Sequence, residues 1–252
     1  MLTHPTKEKL RALKLYGMAR SFEEQTSSKD CEELAFEERL GLLVDRELTE
    51  QENRRLTARL KKAKLRQQAS MEDIDYTQKR GLDKELAKSL GQCKWLTERL
   101  NILITGPCGA GKSFIACALG HKACLKGYKV LYFRAARLFE SLALSKGDGR
   151  YPRLMNSIAK QDLLIIDDWG LSVLTDQERS DMLEILEDRH GIRSTVITSQ
   201  LPIEHWHEAI GNPTLADAIL DRIIHNAYKI QLKGGSMRKL KARKLSGENE
   251  GV

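Results

Sequence analysis

The 252 residues are 41% hydrophobic and 31% charged, with a formal net charge of +7; this is enough apolar material for one large domain or two smaller ones, and a charge balance that suits a polyanionic partner. No run approaches the ~20 apolar residues of a membrane-spanning helix, and Met1-Leu2-Thr3-His4-Pro5 lacks an apolar signal core, so the expected protein is cytoplasmic with no membrane partner. The five cysteines, Cys31, Cys93, Cys108, Cys117 and Cys124, form no C-x-x-C pair, which argues against a disulfide framework and against a zinc site.

Residues 1–68 read as a small all-helical domain. Leu10, Leu13 and Met18 fall on one stripe, Phe36, Leu40 and Leu43 on another, and Leu56, Leu60 and Ala63 continue the spacing. Charge is segregated along this part: Glu23, Glu24, Asp30, Glu32, Glu33, Glu37 and Glu38 gather upstream, whereas residues 53–71 contain no acid and carry Arg54, Arg55, Arg59, Lys61, Lys62, Lys64 and Arg66. Such a run is either a solvated helix face or a phosphate-contacting one, and these seven are the residues expected to contact nucleic acid. Ser70 to Gly81 is polar and mixed, the composition of a linker, and Leu82 to Leu100 reads as a helix despite Gly91.

From Asn101 onward strand and helix alternate. Strand-like runs at 101–105, 129–133, 162–167 and 194–199 are separated by helical stretches that include 114–122, 135–146 and 151–160, which is how a parallel sheet with helices on both faces is written. A second acid-free stretch, 222–247, reads as a basic tail with Lys229, Lys233, Arg238, Lys239, Lys241, Arg243 and Lys244. Trp169 and His205-Trp206-His207 read as packing residues.

Two short motifs carry the chemistry. Gly106-Pro107-Cys108-Gly109-Ala110-Gly111-Lys112-Ser113 fits G-x-x-x-x-G-K-[ST] and follows the first strand directly. Its glycines allow backbone amides to point inward at phosphate oxygens, its lysine reaches the β/γ-phosphates, and its serine hydroxyl ligates Mg²⁺ at a helix N-terminus. These eight residues are therefore the expected ATP-binding loop. The run Leu163-Leu164-Ile165-Ile166 ends in Asp167-Asp168, so a buried strand delivers two carboxylates to one end of the sheet: Asp167 for the Mg²⁺ shell and Asp168 to orient or deprotonate the attacking water.

Together these elements resemble the AAA+ ATPases of the initiator and helicase-loader clade, and in particular the IstB-type helper ATPases of bacterial insertion-sequence transposition. The resemblance covers nearly the whole chain. It is carried by N-I-L-I-T-G-P-C-G-A-G-K-S, L-L-I-I-D-D-W-G, T-V-I-T-S-Q-L-P, A-D-A-I-L-D-R-I-I-H-N-A and G-G-S-M-R. It implies an α/β AAA+ P-loop core over 69–252 with ATP and Mg²⁺ as cofactors, a sensor-1 polar residue at Ser199 beside Gln200, an arginine finger at Arg222 that reaches a neighbouring subunit, and a sensor-2 arginine at Arg238. The plainer alternatives are a strand cap for Ser199, an ion pair with Asp217 or Asp221 for Arg222, and a tail cation for Arg238. The implied partners are double-stranded DNA, a cognate transposase and further copies of the chain joined through the ATP sites. The chain departs from the common Asp-Glu strand ending with Asp167-Asp168, whose shorter second acid implies slow, switch-like hydrolysis. A loader for a replicative helicase shares every one of these motifs, and a small-molecule kinase shares the phosphate loop alone.

Overall fold

The alternation that begins at Asn101 closes into one sheet. The computed structural model describes residues 5–28, 33–76 and 80–237. Five strands, β1 (Asn101–Thr105), β2 (Val130–Arg134), β3 (Leu163–Trp169), β4 (Ser194–Ser199) and β5 (Ala227–Gln231), lie in the order β2-β3-β4-β1-β5, and every neighbouring pair is parallel. β1 and β4 are buried along their whole length, as strands covered on both faces must be, and this is why they read as unbroken apolar or small-residue runs. β5 falls inside the stretch that reads as a basic tail. It is an edge strand in which Ile230 alone is fully buried and Lys229 faces solvent, so it carries almost none of the apolar signal of its neighbours.

Chain crossovers supply the covering helices. They are α6 (Lys112–Leu125) after β1, α7 (Ala135–Gly147) and α8 (Tyr151–Ala159) after β2, α9 (Asp176–Arg189) after β3, and α10 (Trp206–Ile210) and α11 (Pro213–Ile224) after β4. Local signals set several boundaries. Thr175 and Glu178 form a reciprocal capping box at the start of α9, and the Asn212 side chain accepts from the Leu215 amide ahead of Pro213 at the start of α11. One core cluster joins α7, α8, α9, α10 and α11 to the sheet through Leu138, Ile158, Ile185, Trp206 and Ile219. Trp169 and Trp206 pack there with ring centroids 6.3 Å apart, so both are core residues, while His205 and His207 sit on the surface beside Glu208 and Asp217. The expected single helix over 82–100 is two, α4 (Lys84–Gly91) and α5 (Lys94–Thr97), because Cys93 takes a left-handed φ of 59° between them.

The preceding helices are α1 (Pro5–Ala12), α2 (Tyr16–Ser27) and α3 (Phe36–Ala63). The chain divides into two compact units, Met1–Ala58 and Arg59–Val252. The division falls ahead of the expected boundary at 68, because Ala63 is fully buried and Arg59 Nε donates to Cys124 O at 2.9 Å; the last turn of α3 thus belongs with the unit that holds the sheet. Within the first unit α2 crosses α3 at Gly17, where a Cβ would stand 2.7 Å from Glu47 Cα. The buried Glu47 carboxylate accepts from the Gly17 and Met18 amides at 2.7 and 3.2 Å, neutralising the open N-terminus of α2. Leu13 and Phe36, expected on buried stripes, are instead 69% and 73% exposed.

Candidate nucleotide site

β1 delivers the loop 106–111 and α6 starts at its end, with Lys112 and Ser113 as the first two helical residues. Lys112 Nζ donates to Gly106 O at 2.7 Å and Pro107 O at 2.9 Å, so the buried ammonium holds the loop curved around the place where phosphates would lie. Gly106 and Gly109 have φ of 144° and 83°. A Cβ at Gly106 would collide with Leu232 O and one at Gly109 with Ser236 Oγ, so these glycines serve the approach of the chain after β5 as well as that of phosphate. That chain is tied to the loop by Leu232 N to Thr105 O at 2.7 Å and Met237 N to Gly109 O at 2.9 Å. Arg238 itself lies outside the described residues.

The acid pair is built by a bulge. Ile166 pairs with Ile197 and Trp169 with Ser199, leaving Asp167 and Asp168 opposite Thr198 alone. In a regular strand consecutive side chains point to opposite faces. Here the extra residue and the left-handed φ of 61° at Asp168 bring both carboxylates to one site. Asp167 is fully buried and four groups surround it: Oδ1 accepts from Ser113 Oγ at 2.8 Å and Thr198 Oγ1 at 2.5 Å, and Oδ2 accepts from Tyr132 OH at 2.5 Å and faces Arg66 Nη1 at 3.4 Å. Burial and the neighbouring Asp167 push the Tyr132 phenol up, keeping it a proton donor. Thr198 also accepts from the Asp168 amide at 3.1 Å, which locks the bulge. Asp168 Oδ2 lies 3.4 Å from both Arg66 Nη1 and Arg134 Nε.

A cavity of about 390 Å³ opens over these groups, within the range of small-ligand sites, and its lining includes Lys112, Ser113, Asp168, Arg134, Gln200 and Arg80. Ser199 is not part of the lining. Its buried hydroxyl donates to Trp169 O at 2.7 Å and accepts from Leu201 N at 3.0 Å, which is the plainer strand-cap role, and the neighbouring Gln200 takes the place at the cavity. Asp73, Asp75 and Arg80, which fall in the stretch from Ser70 to Gly81 expected as a linker, line the cavity. Arg80 is 6% exposed and donates to Ala110 O at 3.2 Å and Asp75 O at 3.0 Å, with no protein partner for its Nε among the described residues. A lone arginine in a polar stretch gives no such signal in sequence.

Arg222 lies outside this cavity. Its Nη2 donates to Glu187 Oε1 at 2.6 Å and its Nη1 to Ala218 O at 2.7 Å, so the partner is Glu187 on α9 rather than Asp217 or Asp221. Of the seven basic candidates, Arg54 pairs with Glu47, Arg59 with Cys124 O and Arg66 with the acid pair, whereas Arg55, Lys61, Lys62 and Lys64 are exposed. Hydroxyl and carboxylate oxygens at Ser113 and Asp167 are a hard donor set of the kind Mg²⁺ takes, and the curved amide-rich loop beside them fits a triphosphate.

A five-stranded parallel sheet in this order, with a phosphate loop after the first strand and an acid pair after the third, defines an AAA+ P-loop ATPase. The chain belongs to the IstB-like ATP binding protein family, which matches residues 8–246. It is 54% identical over 244 residues to the insertion sequence ATP-binding protein y4pL of Sinorhizobium fredii, covering 97% of this chain and 100% of that one. It is 30% identical to the insertion sequence IS21 ATP-binding protein of Pseudomonas aeruginosa, covering 97% and 92%. Among solved structures it shares its fold with the DnaC helicase loader at a TM-score of 0.54 and 17% identity, covering 66% of this chain and 97% of that one. Among the described residues no helix is long and apolar enough to cross a membrane.

Proposed function

We propose that this ATPase oligomerises on double-stranded DNA when it holds Mg-ATP, and in that form recruits and stimulates the transposase of an insertion sequence. The observation that carries the assembly is the position of Arg222, absent from its own protomer's cavity and held at the surface by Glu187. A second copy then brings its Arg222 guanidinium to the developing phosphoryl charge, in addition to Arg80 and Arg134 of the cavity itself, which makes a complete site depend on assembly. Support for the insertion-sequence context comes from the names of the relatives.

Bound Mg-ATP supplies the phosphoanhydride and a metal that polarises it. The loop amides and Lys112 bind its phosphates, and Ser113 and Asp167 hold the metal, with Tyr132 and Thr198 fixing the carboxylate's orientation. Asp168 orients the water, and as the shorter acid it does so slowly. Gln200 offers the polar group that the family resemblance places at Ser199, and Arg80 Nε has a hydrogen bond to give to the nucleotide. Exposed lysines 61, 62 and 64 meet duplex phosphates.

Electron microscopy with duplex DNA and a non-hydrolysable ATP analogue tests this reading. Ordered assemblies are expected for the native protein and none for Lys112→Ala, which loses the phosphate-facing cation; equal assembly by the variant, or without nucleotide, sinks it. A helicase loader is the competing reading, favoured by the fold shared with DnaC. Preference for single-stranded DNA and capture of a ring helicase instead of a transposase would establish it.

A further inference from the structure

One short stretch, Arg59 to Arg66, carries two faces. On one side Arg59 caps the last carbonyls of α6 through Cys124 O at 2.9 Å, Ala63 is fully buried, and Leu65 Cδ2 lies over Gly120 of the same helix, 3.0 Å from where a Cβ would stand. The helix then stops at Lys64, whose left-handed φ of 52° turns the chain, and Arg66 arrives with Nη1 at 3.4 Å from a carboxylate oxygen of Asp167 and of Asp168. On the other side Lys61, Lys62 and Lys64 are exposed. A cationic surface and the catalytic acids are thus joined by a segment only a few residues long.

We propose that Arg66 is a positioning residue that couples the occupancy of Lys61, Lys62 and Lys64 by duplex phosphates to ATP hydrolysis. This rests on the reading of DNA as the partner. At rest Arg66 bridges the acids: it pairs with Asp167 Oδ2, across the carboxylate from the Oδ1 that faces Ser113, so that its positive charge opposes a metal held there, and with Arg134 it flanks the oxygen that Asp168 would turn to water. Its side chain is 38% exposed and its ion pairs are long, so the bridge is solvated and easily exchanged. Phosphates on the adjacent lysines offer a competing polyanion and draw the segment, and Arg66 with it, off the carboxylates.

The test compares the full-length protein with Arg66→Ala and Arg66→Lys. Three readouts are taken: the Mg²⁺ concentration at which a fluorescent ATP analogue binds half-maximally, duplex-DNA affinity, and ATP turnover with and without duplex. In Arg66→Ala the Mg²⁺ midpoint falls about fivefold, the factor that corresponds to one exposed ion pair. Turnover without DNA rises to the DNA-saturated level of the native protein, further stimulation disappears, and DNA affinity holds because the three lysines remain. Arg66→Lys, which keeps the charge on an ammonium more strongly hydrated than a guanidinium, falls between the two. A thermal midpoint near that of the native protein excludes misfolding, and the Lys variant carries the test if the Ala variant does not fold. An unshifted Mg²⁺ midpoint with native DNA stimulation overturns the proposal. If the native protein does not bind duplex at all, the coupling to DNA falls with the DNA reading, and the Mg²⁺ midpoint alone still decides whether Arg66 restrains the acids.

Discussion

At the scale of the residue, the site turns on how two neighbouring aspartates on one strand come to face one place. The bulge does this, and Thr198 holds it through a hydrogen bond with each aspartate. Thr198→Val keeps the side-chain shape but leaves a buried amide and a buried carboxylate oxygen short of a partner. The expected loss is about 1–3 kcal/mol of stability, together with a drop in kcat as Asp168 loses its fixed position. Thermal unfolding and steady-state turnover check this, and native values for both would show that the bulge does not need the hydroxyl. Cys108 gives a second residue-scale expectation. It is exposed in the phosphate loop, whereas Cys93, Cys117 and Cys124 are buried. Burial pushes the Cys93 and Cys117 thiols up and that of Cys124 up to about 11. In a Cys31→Ser background, which removes the cysteine outside the described residues, alkylation goes first to Cys108. Labelling there should block ATP binding, and Mg-ATP should protect the thiol; equal labelling rates with and without Mg-ATP would show that bound phosphates leave the side chain open.

At the scale of the element, α3 changes role along its length. It is a 28-residue helix uninterrupted by proline, and its final turn docks on α6 while its lysines stay in water. Replacing Lys61, Lys62 and Lys64 with Gln removes the exposed charge and leaves the docked face intact. Binding to unrelated duplexes should weaken to a similar degree, since phosphates carry no sequence information. The slope of log affinity against log salt should flatten by roughly 0.9 for each phosphate that is no longer neutralised. Unchanged affinity and slope would return these residues to the role of a solvated helix face. Among the alternative cations between β2 and β3, Lys146 is paired with Asp181 and Arg150 with Asp148, whereas Arg153 is exposed and becomes the next residue to replace.

At the scale of the whole molecule, the question is whether one protomer completes another's site. Arg222→Ala should bind ATP as a single protomer and hydrolyse it poorly. Mixed with Lys112→Ala, which has an intact finger and a defective loop, it should recover part of the activity at interfaces that pair the two intact halves. Co-purification of differently tagged variants establishes that mixed assemblies form. Full activity of Arg222→Ala alone ends the proposal that the residue acts in trans.

The amino-acid order by itself determined the four inner and flanking strands, the phosphate loop and the acid pair, because each is a contiguous run whose residue types state their own environment: apolar strands covered on both faces, glycines where the backbone must turn, acids at a strand end. Only the tertiary structure decided what depends on residues distant in sequence. It made an edge strand of 227–231 by pairing it with β1, turned Ser199 into a cap and put Gln200 at the cavity through the backbone's direction at the end of β4, and brought Arg80 from a linker-like stretch to the phosphate loop. It also separated seven similar-looking cations into engaged and exposed sets. Charge in a sequence has no direction, and the partner that fixes it, Asp167 for Arg66 or Glu187 for Arg222, lies 101 and 35 positions away.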